Sequence, residues 1–188
     1  CPPLAFILTF GVARPSRIRV LYSKMKIGFV LYDYYPFGGL QEDCLATAIA
    51  AHARGHTVHI FTRTWKGEQP EGIHVHLLGK KGWSNITRNQ HFFETLKQVL
   101  PQHQLDGVVA FNRIPNADIY FAADPCYVER VKNKSIWYKL GLRHSYYKAL
   151  EKTVFTAPNP PDTLVLTDKE IDAFHQHYGI DQSKFHLL

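Results

Sequence analysis

Three short segments of this 188-residue chain carry residue types able to hold or activate a polar ligand. In Phe37-Gly38-Gly39-Leu40, two adjacent glycines let a ligand come close to the backbone, and a helix starting there offers unpaired N–H groups to an anion. The segment lacks both the G-x-G-x-x-G pattern of dinucleotide-binding turns and a Walker lysine, so NAD and P-loop readings lose ground. A plain tight turn is the bland alternative. In Asn112-Arg113-Ile114-Pro115, Asn112 and Arg113 can hydrogen-bond a hydroxyl or a phosphate. Loop polarity before a Pro-Asn turn explains them equally well. In Phe121-Ala122-Ala123-Asp124-Pro125, the Asp124 carboxylate is placed to position a sugar hydroxyl or act as a base. Taken alone, an aspartate before proline reads better as a helix cap.

Other reactive side chains point less far. Eleven histidines include His74-x-His76 and His175-x-His177, which have ligand-like spacing. The first pair alternates with apolar residues from Gly72 to Leu77, which puts both imidazoles on one face of a strand, and no metal is expected. Cys1, Cys44 and Cys126 are odd in number and form no C-x-x-C pair, so neither a disulfide framework nor a zinc site follows and a reducing compartment fits. The formal charge of +6 favours an anionic partner: nucleic acid, an anionic membrane surface or a phosphorylated substrate.

The cations concentrate between Tyr127 and Phe155. There Arg130, Lys132, Lys134, Lys139, Arg143, Lys148 and Lys152 are opposed only by Glu129 and Glu151, and Trp137, Tyr138, Tyr146 and Tyr147 are interleaved. On a helical period, Trp137, Leu140, His144, Tyr147, Leu150 and Val154 share one face. Docking of that face on the domain accounts well for its C-terminal half. For the N-terminal half, aromatic rings at headgroup depth and cations worth about 1 kcal/mol each near anionic lipid predict peripheral membrane docking by residues 127–148. Arg130, Lys132, Trp137, Tyr138, Lys139 and Arg143 would lie at that surface. No recognised nucleic-acid module accompanies them.

The elements that must position these residues alternate between strand and helix. Lys26 to Tyr32 is a near-continuous apolar run, as expected of a strand buried on both faces. A helix is expected over 40–54, with Leu45, Ala48, Ile49 and His52 or Ala53 inward and Gly55 as its stop. Strands follow at 57–62 and 73–78, then a basic loop at 80–88 and a helix at 89–100 ended by Pro101. Short strands at 106–111 and 118–122 precede a mostly helical stretch to about 156, broken near 133–135. A strand at 163–166, a helix at 168–178 and a strand at 184–188 complete the series. Alternation of this kind predicts a Rossmann-like, doubly wound α/β domain with a parallel sheet.

Read together, these segments resemble the lipopolysaccharide core (heptose) glucosyltransferases of glycosyltransferase family 4. Met25 to Tyr32 with Tyr35-Pro36-Phe37-Gly38-Gly39-Leu40-Gln41 is similar to the opening of such enzymes. Ala53-Arg54-Gly55-His56, Phe111 to Pro115, Asp118 to Asp124, Leu166 to Lys169, His177-Tyr178 and Phe185 to Leu188 continue the resemblance. It implies the N-terminal half of a GT-B architecture, with the second domain absent. Residues 25–188 would be the acceptor-side domain and residues 1–24, ahead of the single methionine Met25, an upstream extension. The implied activity is retaining transfer of glucose from UDP-glucose to an inner-core heptose, without metal or cofactor. By the same resemblance, Gly38 and Gly39 approach the donor diphosphate, Asp124 faces the acceptor as the catalytic carboxylate, and Asn112 and Arg113 lie on the acceptor side. Glu42 departs from the family's basic residue near the helix start, and Arg113 and Asn116 stand where relatives often have Lys and Gly. A cytoplasmic enzyme working on the inner face of the cytoplasmic membrane is expected, with nucleotide sugar and lipopolysaccharide acceptor as partners and this half alone inactive. A non-catalytic α/β module that binds anionic membrane or phosphorylated glycan is the alternative, and an unrelated Rossmann-like nucleotide protein a third.

Overall fold

A computed structural model describes residues 23–188, so the expectation for residues 1–24 lies outside the described residues except for its last two positions. The chain runs β1 (Lys26–Val30), β2 (Asp33–Tyr34), α1 (Gly39–Ala53), β3 (Thr57–Thr62), β4 (Thr64–Trp65), β5 (His74–Leu77) and α2 (Asn85–Val99). It continues through β6 (Gly107–Ala110), β7 (Ile119–Ala122), α3 (Tyr127–Arg130), α4 (Ile136–Lys139), α5 (Leu142–Phe155), β8 (Asp162–Val165), α6 (Asp168–Tyr178) and β9 (Phe185–Leu187). Seven strands form one parallel sheet in the order β5-β3-β1-β6-β7-β8-β9, and β2 and β4 pair separately. The order runs outward from β1 in both directions. The topological switch point therefore lies between β1 and β6, where an open sheet of this kind offers a crevice beyond its strand ends.

β1 is apolar throughout because both its faces are covered. Ile27 and Phe29 join Cys44, Ala48 and Ala51 of α1 in one buried cluster, while Val30 joins Phe61, Phe92 and Leu96 in the other. Gly28 serves the second face: a Cβ there would come within 2.6 Å of Leu105, so the bare backbone lets Leu105 lie against the sheet. Burying residues this way is worth about 25 cal/mol per Å2 of apolar surface, which favours two-sided coverage of the central strands.

Three expectations need correction. The buried stripe of α1 is Gln41, Cys44, Ala48 and Ala51, and Ile49 is exposed. Small side chains let the helix lie close to the sheet; Leu45 stays half-buried against the same cluster, while Ile49 turns to solvent. α2 starts at Asn85 rather than 89, because Ser84 and Thr87 form a capping box: Thr87 N donates to Ser84 Oγ at 3.1 Å and Ser84 N to Thr87 Oγ1 at 3.0 Å. The stretch from 127 to 156 breaks twice, the second time at Gly141, the extended N-cap of α5. The supposed continuous stripe is therefore split. His144, Leu150 and Val154 are buried, but Trp137 is 80% and Leu140 67% exposed.

Candidate active site

The carboxyl end of β1 leads into the first loop of interest. Asp33 anchors it, receiving bonds from Arg63 Nη2 at 2.5 Å, Thr64 Oγ1 at 2.8 Å and Lys80 Nζ at 3.2 Å. Burial works to raise the Asp33 carboxyl, but the bonds from Thr64 and Arg63 and the Arg63 charge outweigh it and hold it below the usual carboxylate range. Arg63 also lies 4.5 Å from the Tyr32 ring centroid and donates to Asn89 Oδ1 at 3.0 Å. Beyond Asp33 the backbone rises to a tip at Phe37, which is 95% exposed and held at φ +68°. Non-glycine residues seldom adopt that conformation, and it turns the chain into α1.

The two glycines differ in what they leave open. Gly38 is the N-cap of α1, and a Cβ on it would collide with the Gln41 side chain and come within 2.8 Å of the Tyr35 ring. A Cβ on Gly39 would meet no atom within 4 Å. No side chain caps α1, so its first-turn N–H groups face outward at Gly39 and are free to donate to an anion. Glu42 sits exposed in the same turn, and its carboxylate opposes an anion there.

The loop after β6 is bonded to this one. Tyr32 N donates to Asn112 Oδ1 at 2.7 Å, and Tyr32 Oη donates to the Arg113 carbonyl at 3.4 Å. The oxygen of Asn112 is thus engaged in joining two strand ends. Arg113 turns the other way. Its guanidinium, 10% exposed, donates to Glu151 Oε1 at 3.0 Å and to the Pro125 carbonyl at 2.8 Å, and Nη1 reaches to 3.7 Å from Asp124 Oδ2. A chain of contacts therefore runs along the rim from the end of β1 to the end of β7.

Asp124 is not the cap of α3. Its side chain is 62% exposed and touches Arg113 and, at 4.0 Å, Arg130. Glu151, fully buried on α5, satisfies the helix start instead, accepting from Tyr127 N at 2.7 Å and Val128 N at 3.2 Å. Tyr178 Oη adds a third bond at 2.7 Å. Asp124 thereby faces a cavity of about 230 Å3 lined by Arg113, Asp124, Tyr127, Arg130, Tyr138, Arg143 and Tyr147. Three guanidinium groups against one carboxylate make it positive, and the phenols supply hydroxyl partners. Burial, then the bond with Tyr138, pushes the Tyr127 phenol up to about 12, so it stays protonated. Such a wall suits a polyhydroxylated, anionic molecule.

Glu151, Tyr127 and Tyr147 were not singled out from sequence as site residues. A signal for Glu151 existed: a lone carboxylate beside inward positions 147, 150 and 154 in a basic helix needs a buried cation. Of the residues read as membrane-facing, Arg130, Tyr138 and Arg143 line the cavity. Trp137 projects away, and Lys132 and Lys139 are bound to one another through the Lys132 carbonyl at 2.5 Å. Cys44 and Cys126 are buried free thiols. The histidine pairs part company: His175 bonds the Ile180 carbonyl at 2.7 Å and His177 bonds Glu129 at 3.1 Å, while His76 lies on the sheet beside His59.

A scan against protein-family models finds no match. The chain is 38% identical over 165 residues to "Lipopolysaccharide glucosyltransferase WaaG" of Escherichia coli (strain K12), an alignment that covers 87% of this chain and 44% of that protein. Its fold matches the crystal structure of WaaG, "a glycosyltransferase involved in lipopolysaccharide biosynthesis", with a TM-score of 0.82 and 37% identity over 86% of this chain and 44% of that one. The chain thus spans less than half the length of these relatives. The family resemblance and the doubly wound parallel sheet read from the sequence are both borne out.

Proposed function

We propose that this chain, which belongs with the WaaG-type lipopolysaccharide glycosyltransferases, supplies the acceptor-side half of a sugar-transfer cleft. The reaction is retaining transfer of glucose from UDP-glucose to a heptose of the lipopolysaccharide inner core, with no metal or cofactor taking part in the transfer step. One observation carries this: the helix start at Gly38–Gly39 and the Arg113–Asp124 cavity share the carboxyl rim at and beside the switch point, joined through Tyr32 and Asn112. The N–H groups at Gly39 face the departing diphosphate, where stabilising developing charge is the main catalytic task. Asp124 accepts a hydrogen bond from the acceptor hydroxyl, and Arg113, gripped by buried Glu151, fixes the wall behind it. Arg130 and Arg143 hold anionic groups of the acceptor glycan.

The donor's remaining contacts come from a second domain, so residues 25–188 alone do not turn over. Ile136, Trp137, Leu140 and Leu142 are exposed beside Lys132, Lys139 and Arg143, which supports peripheral docking on an anionic cytoplasmic membrane, where the acceptor is anchored. Among the described residues, no helix is long and apolar enough to cross a membrane.

The test joins this chain to the second half of the Escherichia coli relative and follows glucose transfer from UDP-glucose to purified heptose-terminated lipopolysaccharide. The expected product is α-linked, and Asp124→Ala in the fusion abolishes most transfer. A folded fusion that binds UDP-glucose but glucosylates no heptose acceptor overturns the proposal. If the chain then still binds anionic vesicles, the non-catalytic module is favoured.

A further inference from the structure

On the side of the sheet covered by α2, three histidines from three elements converge. His59 lies on β3, His76 on β5, and His103 in the 3-10 turn Leu100–His103 that follows α2. Each offers one ring nitrogen, and these nitrogens all lie within 4.8 Å of one another. The closest pair, His59 Nδ1 and His76 Nε2, is 2.9 Å apart. The His76 and His103 ring centroids are 4.4 Å apart, and His74 stacks on His59 at 4.8 Å.

The placement follows from the parallel register. His59 pairs with His74 and Phe61 with His76, so alternation puts all four side chains on one face. His59 contacts the other three imidazoles, and His76 also contacts His103. Neutral imidazole is the preferred ligand of borderline dications, whereas calcium and magnesium want oxygen. We propose that His59, His76 and His103 bind one Zn2+-like dication, with His74 or water in the fourth position. A tetrahedral ion with metal–nitrogen bonds of about 2.0–2.1 Å needs its ligand atoms roughly 3.3 Å apart. The short pair must open slightly and the widest must close, both within the reach of ring rotation and a shift of the turn at His103. The site lies on β3 and edge strand β5, outside the β1–β6 switch point, so the ion ties β5 and the turn after α2 to β3 and takes no part in transfer.

The test uses the untagged chain with Cys1→Ser, so that this thiol does not compete. Co2+ titration is followed by its tetrahedral ligand-field absorption, and Zn2+ affinity by competition with a chromophoric chelator. One equivalent is expected to bind. His103→Ala and the hydrogen-bonding variant His103→Gln are each expected to weaken Zn2+ by about tenfold or more. The distant exposed His177→Ala leaves it unchanged. Zn2+ should also raise the thermal midpoint of the parent chain and not that of His103→Ala. Absence of one-equivalent binding, or affinity that His103→Ala and His103→Gln leave unaltered in folded protein, overturns the site.

Discussion

Removing the Glu151 carboxylate tests the internal logic of the cleft most directly. Glu151 is fully buried and accepts from Arg113 Nε at 3.0 Å, Tyr127 N at 2.7 Å, Val128 N at 3.2 Å and Tyr178 Oη at 2.7 Å. Glu151→Ala leaves the nearly buried Arg113 guanidinium without its closest counter-charge and two backbone N–H groups unbonded. Breaking a buried ion pair from one side costs about 3–5 kcal/mol. For a chain of this size each kcal/mol moves the melting point by roughly 2–4 °C, so a fall of roughly 6–20 °C is expected. Glu151→Gln keeps the shape and one acceptor oxygen, and loses about 2 kcal/mol with its charge-assisted bond. Thermal unfolding by circular dichroism and urea titration measure both. The decisive result is the cycle with Arg113→Ala: the double variant should be less destabilised than the sum of the singles by at least about 1 kcal/mol. A loss under about 1 kcal/mol for Glu151→Ala, or simple additivity, refutes the assignment of Glu151 as the counter-charge that positions Arg113.

The two glycines should respond differently to alanine. Gly39→Ala keeps or slightly raises stability, by about 0.5–1 kcal/mol as an alanine within a helix start, yet lowers transfer by the fused enzyme because its methyl group occupies the open space before the N–H groups. Gly38→Ala loses about 1–3 kcal/mol from its collision with Gln41 and Tyr35. In acid, His59 should destabilise the fold. Burial, then His74, His76 and His103, holds it down to about 4 against its ordinary 6.5, so the folded state resists a proton that the unfolded chain accepts. Stability is full above about 6.5 and declines as pH falls toward 4, and His59→Gln flattens that slope in metal-free urea titrations. Trp137→Ala with Leu140→Ala, and separately Lys132→Ala with Lys139→Ala, should each reduce co-sedimentation with anionic vesicles. Equal binding to neutral and anionic vesicles at low salt counts against membrane docking.

The alternation of elements was legible because it rests on local chemistry. The two-sided apolar run of β1, the glycine stop after α1 and the proline beyond α2 act over a few residues, and all appear close to where periodicity put them. The start of α2 was missed because a Ser-Thr capping box is a weaker signal than a charged one. The breadth of the docked stripe was overestimated because Gly141 interrupts the helix at a residue that periodicity alone reads through.

The amino-acid order by itself determined that there would be a parallel sheet, that Gly38–Gly39 would start a helix beyond its first strand, and that polar residues would gather at later strand ends. It could not decide which of those residues meet. Asp124 looked like a cap until tertiary contact gave that task to Glu151, 27 residues along the chain, and freed the aspartate to face a cavity. His103 joined His59 and His76 in the same way, from 44 and 27 residues off. Backbone propensity acts between neighbours, whereas a buried charge or an imidazole finds its partner only once the strands have set their order, and that order is a property of the whole sheet.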